Sequence, residues 1–160
     1  MAKLQAITPC LWFDGKAEEA VKHYTGIFAD SRILQVTRWG KDGRMPEGSV
    51  LLILFELAGQ QFQALNGGPE FTFTEAISLS VACDTQAEID RLWARLCDGG
   101  TPVQCGWLKD KFGLSWQIVP AALPAMLQDH ASDRAGRVMQ ALMGMVKLDL
   151  AALQRAYDGN

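Results

Sequence analysis

The feature that most restricts the fold of this chain is an order of elements that occurs twice. Ala6 to Phe13 is apolar and rich in bulky residues, and it stops at Asp14-Gly15, a pair that serves equally as turn and as helix N-cap. Ala20, Val21, Tyr24, Ile27 and Phe28 then recur at helical spacing, with Lys16, Glu18, Glu19 and Lys22 off the stripe. That pattern predicts an amphipathic helix of about three turns. Ile33 to Trp39 follows, then a Gly/Pro-rich loop from Gly40 to Gly48, an apolar strand Val50 to Leu57, a turn at Ala58-Gly59, and Gln61 to Leu65 before the breaker Asn66-Gly67-Gly68-Pro69. The order is β-α-β-β-β.

It begins again at Glu75. Ile77, Leu79, Val81 and Cys83 alternate with Ser78, Ser80 and Ala82, the period of a strand with one apolar and one more polar face. Thr85-Gln-Ala-Glu88 has capping-box spacing, Ile89, Leu92, Trp93 and Leu96 form a helix stripe, and Gly99-Gly100 ends it. A short strand at Thr101 to Gln104 precedes a hairpin made of Cys105 to Leu108, a turn from Lys109 to Gly113, and Leu114 to Val119. Beyond Pro120 the chain becomes a helical tail, with Val138, Leu142 and Met145, then Leu150 and Leu153, at helical spacing. The fold class is α+β: duplicated βαβββ modules and a C-terminal tail. The 160 residues form a single domain with module 1 at about 5–70, module 2 at about 75–120 and the tail at 121–160. A repeated unit buries its faces against its neighbour, so the two sheets should curve around a cleft, and function belongs there.

Charge and cysteine usage exclude several classes. Fifteen Lys plus Arg against 18 Asp plus Glu leave a net charge of −3, so nothing favours a nucleic-acid partner. Cys10, Cys83, Cys97 and Cys105 form no Cys-x-x-Cys pair, and the chain has only two histidines. The expected thiols are reduced, buried as small hydrophobes, and free of zinc. The start lacks a secretory h-region, and the longest apolar run, Val50 to Phe55, is far short of a membrane span. The expected location is the cytoplasm.

Ile7-Thr-Pro-Cys-Leu-Trp-Phe-Asp-Gly, Phe62-Gln-Ala-Leu-Asn-Gly-Gly-Pro and Cys105-Gly-Trp-Leu-Lys-Asp-Lys-Phe-Gly-Leu-Ser-Trp-Gln-Ile-Val-Pro, set in this duplication, resemble the PhnB-like branch of the vicinal oxygen chelate superfamily. That superfamily contains glyoxalase I, extradiol dioxygenases and bleomycin-resistance proteins. The resemblance extends over nearly the whole chain, tail included, and brings the branch's label of 3-demethylubiquinone-9 3-methyltransferase. It also implies a metal held by one side chain from each of four strands, at positions that fall on Pro9, Gln63, Ala76 and Gln117. Proline and alanine cannot ligate through their side chains, and amide oxygens are weak donors for a transition metal. The expectation is a cleft without metal or other cofactor. A shift of one residue would bring Thr8 or Cys10 and Glu75 into question, and still no histidine.

With Gln63 and Gln117 facing the cleft, alternation also turns Pro9, Leu11, Phe13, Leu65, Ser78, Ser80, Ser115 and Val119 inward. It leaves Cys10, Trp12, Phe62, Ile77, Leu79, Val81 and Trp116 facing the helices. The expected ligand-binding residues are Pro9, Phe13, Gln63, Leu65, Ser78, Ser80 and Gln117. Glu56 is the candidate for a catalytic base; His23 and His130 read as solvated, and Cys105 would need Lys109 or Lys111 beside it to become a nucleophile. Transfer from S-adenosylmethionine calls for a parallel sheet and a Gly-rich turn opening a helix, and Gly67-Gly68 leads into a proline. Three functions remain open: a metal-free binding protein for a small organic molecule; an enzyme of the superfamily, whether lyase, dioxygenase or transferase; and an interaction module whose Met139, Leu142, Met143 and Met145 stripe makes a homodimer.

Overall fold

The structure is a computed structural model and describes residues 3–130 and 132–160. The chain divides into two compact units, one ending at Phe73 and one beginning at Thr74. In the first, β1 (Cys10–Phe13), α1 (Ala17–Thr25), β2 (Arg32–Arg38), β3 (Val50–Leu57) and β4 (Gln60–Asn66) form a four-stranded sheet of order β1-β4-β3-β2. β1 runs parallel to β4 and the other pairs are antiparallel. The second unit repeats this with β5 (Leu79–Cys83), α2 (Gln86–Cys97), β6 (Thr101–Pro102), β7 (Trp107–Lys109) and β8 (Ser115–Pro120), in the order β5-β8-β7-β6. Its tail forms α3 (Leu123–Gln128), α4 (Arg134–Met143) and α5 (Leu150–Asp158). Among the described residues no helix is long and apolar enough to cross a membrane.

One face of each sheet is covered by its helix. Ala20, Val21 and Tyr24 of α1 are fully buried, as are Ile53, Phe55 and Ala64 of the sheet it contacts. In the second unit, Ile89, Leu92 and Leu96 of α2 lie over Leu108, Trp116 and Ile118. Burying side chains of this size contributes about 1.5–3 kcal/mol each, which fixes which face of each strand points to the helix.

The helix starts differ from expectation in an informative way. Asp14 does not cap α1; the first turn begins after Lys16 without a side-chain cap of its own. Asn66 at the end of β4 supplies the acceptor, taking the Ala17 N–H at 2.9 Å while its Nδ2 donates to the Val50 carbonyl. A residue far away in sequence thereby ties β3, β4 and α1 together. The second helix has the local cap read from its sequence: the Thr85 hydroxyl accepts the Glu88 N–H, and Glu88 reaches back to the N–H of Asp84.

The short hairpin of the second unit is held by Asp110, a carboxylate that is only 3% exposed. One oxygen accepts the N–H groups of Phe112 and Leu114, and the other accepts the indole N–H of Trp116 at 2.9 Å. The tail adds a core of its own from Leu123, Met126, Val138, Leu142, Leu148 and Leu153. It is laced onto the hairpin by Cys105 and Gly106, whose N–H groups donate to the carbonyls of Met145 and Val146. Gln86 of α2 completes the tie, donating to Leu148 O and accepting from Leu150 N.

Candidate ligand-binding faces

The face of each sheet away from its helix is where side chains can meet a ligand, and strand register decides which residues these are. In the first unit the Gln63 N–H donates to the Pro9 carbonyl, so the ladder begins with Cys10 opposite Gln63 and continues with Trp12 opposite Leu65. Directly paired residues project to the same side. The open face therefore carries Cys10, Trp12, Leu52, Leu54, Glu56, Gln61, Gln63 and Leu65.

This corrects the sequence reading of β1 by one residue. Leu11 and Phe13 pair with Ala64 and Asn66 on the helix side, both nearly fully buried, and Phe13 meets Phe73 edge-to-face. Phe13 is a core residue, and Pro9 precedes the strand and contributes a carbonyl to the ladder. Their places on the open face go to Cys10 and Trp12. The cause is that β1 is apolar on both faces, so its own pattern does not reveal which face is covered.

Trp12 is the main group that the sequence reading missed. Its indole N–H donates to the Gly68 carbonyl at 2.8 Å, and its ring lies against Gly67 and packs edge-to-face with Phe71 at 5.0 Å. A Cβ on Gly67 would fall 2.3 Å from the ring, so only glycine admits the indole there. The Gly67-Gly68 pair is thus a seat for an aromatic side chain. It is not a cradle for a cofactor's phosphate or sulfonium, and no helix follows it.

Glu56 lies on the same open face, 15% exposed at its side chain, with Arg32 across the strand pair at 3.5 Å. Cys10 is exposed, contrary to the expectation of a buried thiol, and partial desolvation raises its pKa above the ordinary thiol value. Cys83, which is buried, is pushed up to about 11 by the same cause. Both thiols stay protonated at neutral pH.

In the second unit the expected facing is met within β5 and β8, but Ile77, expected toward the helices, lies before β5 and is 60% exposed. Ser80 pairs with Gln117, Ala82 with Val119, Lys109 with Ser115 and Trp107 with Gln117, all on the open side, while Leu79 and Val81 pair with Trp116 and Ile118 toward α2. Gln117 donates its amide N–H to the Ser78 hydroxyl at 2.9 Å. Val119 packs against the tail core, so the tail closes the Val119 end of this face. Trp107 and Lys109 are the additions here, reached through β7. Their signal in the sequence was weak because a three-residue strand shows no alternation. Lys109 forms an ion pair with Glu75, and its hydrogen bond to that carboxyl is the main cause holding the Glu75 pKa below the usual glutamate range. Ile77 and Ala76 precede β5 and are exposed.

The two copies superpose in register. Cys10 opposite Gln63 in the first is the equivalent of Ser80 opposite Gln117 in the second. Of the positions that the resemblance implies for a metal, Pro9 and Ala76 lie outside the strands, while Gln63 and Gln117 lie on the open faces of their own sheets. Proline and alanine side chains cannot ligate, and the two glutamine amides are neutral donors, weaker than imidazole or carboxylate, so these residues do not fit a divalent ion. Among the described residues no group of three or more His, Cys, Asp or Glu side chains could hold one.

The remaining candidates lie elsewhere. His130 is exposed, as expected; His23 is half-buried with its Nε2 out of solvent, and its ring is 5.9 Å from that of Tyr24. Cys105 packs on the tail core with Met143 Sδ 3.9 Å from its thiol, while Lys109 is taken by Glu75 and Lys111 lies over the Phe112 ring.

Comparison with known proteins bears on the fold and family. Residues 5–119 match the family described as 3-demethylubiquinone-9 3-methyltransferase, so the tail lies outside the match, against the expectation that the resemblance would run through it. A solved structure described as a putative 3-demethylubiquinone-9 3-methyltransferase, PhnB protein, from Bacillus cereus is 40% identical, covering 73% of this chain and all of that one, with a TM-score of 0.68. A Pseudomonas aeruginosa protein is 23% identical over 71% of this chain and 95% of its own, with a TM-score of 0.58. The fosfomycin resistance protein FosX from Mesorhizobium loti shares the fold at 14% identity, 72% and 90% coverage, and a TM-score of 0.50. No curated protein matches.

Proposed function

The chain belongs to the 3-demethylubiquinone-9 3-methyltransferase family, the PhnB-like proteins of glyoxalase/bleomycin-resistance fold, and from that premise we propose that it binds a small organic molecule on the open faces of its sheets, without a metal ion. The observation that carries this reading is the equivalence of Cys10–Gln63 and Ser80–Gln117: both copies present neutral hydrogen-bonding groups on their open faces. Trp12 and Leu65 beside Gln63, and Trp107 beside Gln117, add apolar and aromatic surface next to a few polar groups, the Ser78 hydroxyl among them. That combination suits recognition of a modest organic ligand.

The methyltransferase activity in the family's description has no support in the residues. Neither sheet is parallel throughout, and the glycine pair that could have met a cofactor is filled by Trp12. Four free cysteines agree with the cytoplasm as the place of action. A homodimer through the tail is part of the proposal in altered form. Leu142 is used inside the tail core and Met145 packs against it, so the exposed Met139, Met143 and Val146 are what such a contact would employ.

A thermal-shift screen of a metabolite panel tests the reading. The expected outcome is stabilisation by one compound class in the presence of chelator, reduced by Gln63→Leu or by Gln117→Leu. A ligand on the first unit's face responds to Gln63→Leu, and one on the second unit's face to Gln117→Leu. No stabilisation by any compound, or stabilisation untouched by both variants, contradicts it.

A further inference from the structure

On the open face of the second sheet, two groups indicate the charge of what is bound there, an inference that rests on the ligand-binding reading above. Ser115 and Lys109 are opposite one another on β8 and β7, so their side chains leave the sheet on the side that carries Gln117 and Ser80. Ser115 is 1% exposed, and its buried Oγ has no hydrogen-bond partner. Buried hydroxyls without partners are rare in native proteins, and this one belongs to the residue paired directly with Lys109 across the two strands. Among the described residues Lys109 is itself answered by the surface carboxylate of Glu75, which lies in the segment before β5 and is 60% exposed. Gln117 gives its amide N–H to Ser78, which leaves the Ser78 proton for another acceptor.

The face is therefore rich in donors and carries one cation, and what it lacks is an acceptor with negative charge. We propose that it is an oxyanion subsite: Lys109 and the Ser115 hydroxyl receive the acidic group of an organic acid, and Glu75 is an internal stand-in that the ligand displaces. Trp107, opposite Gln117, offers a flat surface beside the subsite, so the body carrying the acid is planar or aromatic.

The test is an NMR titration of the whole protein with benzoate, phenylphosphonate and the neutral isostere benzamide. The amide signals of Trp107 to Lys109 and of Ser115 to Gln117 should saturate with the acids, and benzamide should move them far less. Benzoate alone assigns a carboxylate, phenylphosphonate alone a phosphonate or phosphate, and either supports the subsite. Glu75→Gln removes the competitor and should tighten acid binding by about tenfold. Lys109→Met should abolish it and Ser115→Ala weaken it, while Lys109→Arg, which keeps the charge, should retain it. Equal affinity for benzamide and benzoate overturns the subsite and leaves the wider binding reading intact. Unchanged affinity in Glu75→Gln, or no saturable shift with any probe, also overturns it. The metabolite screen decides the wider reading separately.

Discussion

The two copies of one topology are stabilised by different means. The first unit has strands of seven and eight residues in β2, β3 and β4, an apolar helix-side face, and one long-range cap from Asn66. In the second, β6 and β7 have only two and three residues, too few to hold a sheet by ladder and side-chain pairing. Its missing cohesion comes from a buried carboxylate in the hairpin turn and from a tail that the family match does not include. The open faces differ in parallel. The first is mostly apolar and aromatic with an internal ion pair at Glu56 and Arg32, and the second is hydroxylic with Lys109 at its edge. A duplicated fold can thus keep its register while the open face of one copy becomes more apolar and that of the other richer in hydrogen-bonding groups.

Substitutions confined to one unit can break this contrast. Leu153→Ala in the fully buried tail core should cost about 3 kcal/mol in chemical denaturation. Protection from hydrogen exchange should fall in β7 and β8 with it; a loss restricted to α5 would show that the tail does not support the hairpin. Asp110→Asn keeps the size of the side chain and removes the charge that accepts three N–H groups, and should cost about 2 kcal/mol. The indole fluorescence of Trp116 should report the change. In the first unit Asn66→Ala should cost about 1 kcal/mol, with exchange protection lost at the start of α1. The mirror change Thr85→Ala should act on α2 by a similar amount.

The smallest effect is that of acid. Glu75, hydrogen-bonded to Lys109, and Asp90, hydrogen-bonded to Lys147 and Gln86, both have folded pKa values below their ordinary ones. Each contributes stability that is present above its unfolded pKa, near 4, and is lost as pH falls through the lower folded value. Both belong to the second unit. Asp90→Asn should flatten the acid limb of a pH–stability curve, and an unchanged limb would remove these pairs from the account.

The sequence pattern reveals the duplication, both helix stripes, the bounds of β3 and the Thr85 cap, because each is a local signal of period or spacing. Gln63, Leu65, Ser80 and Gln117 were also legible as residues sharing open faces, since β4, β5 and β8 alternate clearly. The facing of β1 was not. Leu11, Trp12 and Phe13 are all large and apolar, and only the hydrogen bond from Gln63 to Pro9, made in three dimensions, sets the register. Asn66 as the cap of α1 and Asp110 as the acceptor of Trp116 were hidden for a related reason. A polar residue in a turn sequence is ordinarily solvated, and nothing nearby says that it reaches a distant donor. Lys109 and Trp107 were read as turn and hairpin residues, and became members of a face only when β7 paired with β8.

The most direct test of the central claim, that the open sheet faces bind an organic ligand without a metal ion, is calorimetric titration of the best-stabilising compound into chelator-treated protein, followed by elemental analysis. The account predicts full affinity with less than a trace of bound metal, and the same affinity after manganese, nickel or iron is added back. Binding that vanishes with chelation and returns with one of those ions would contradict it.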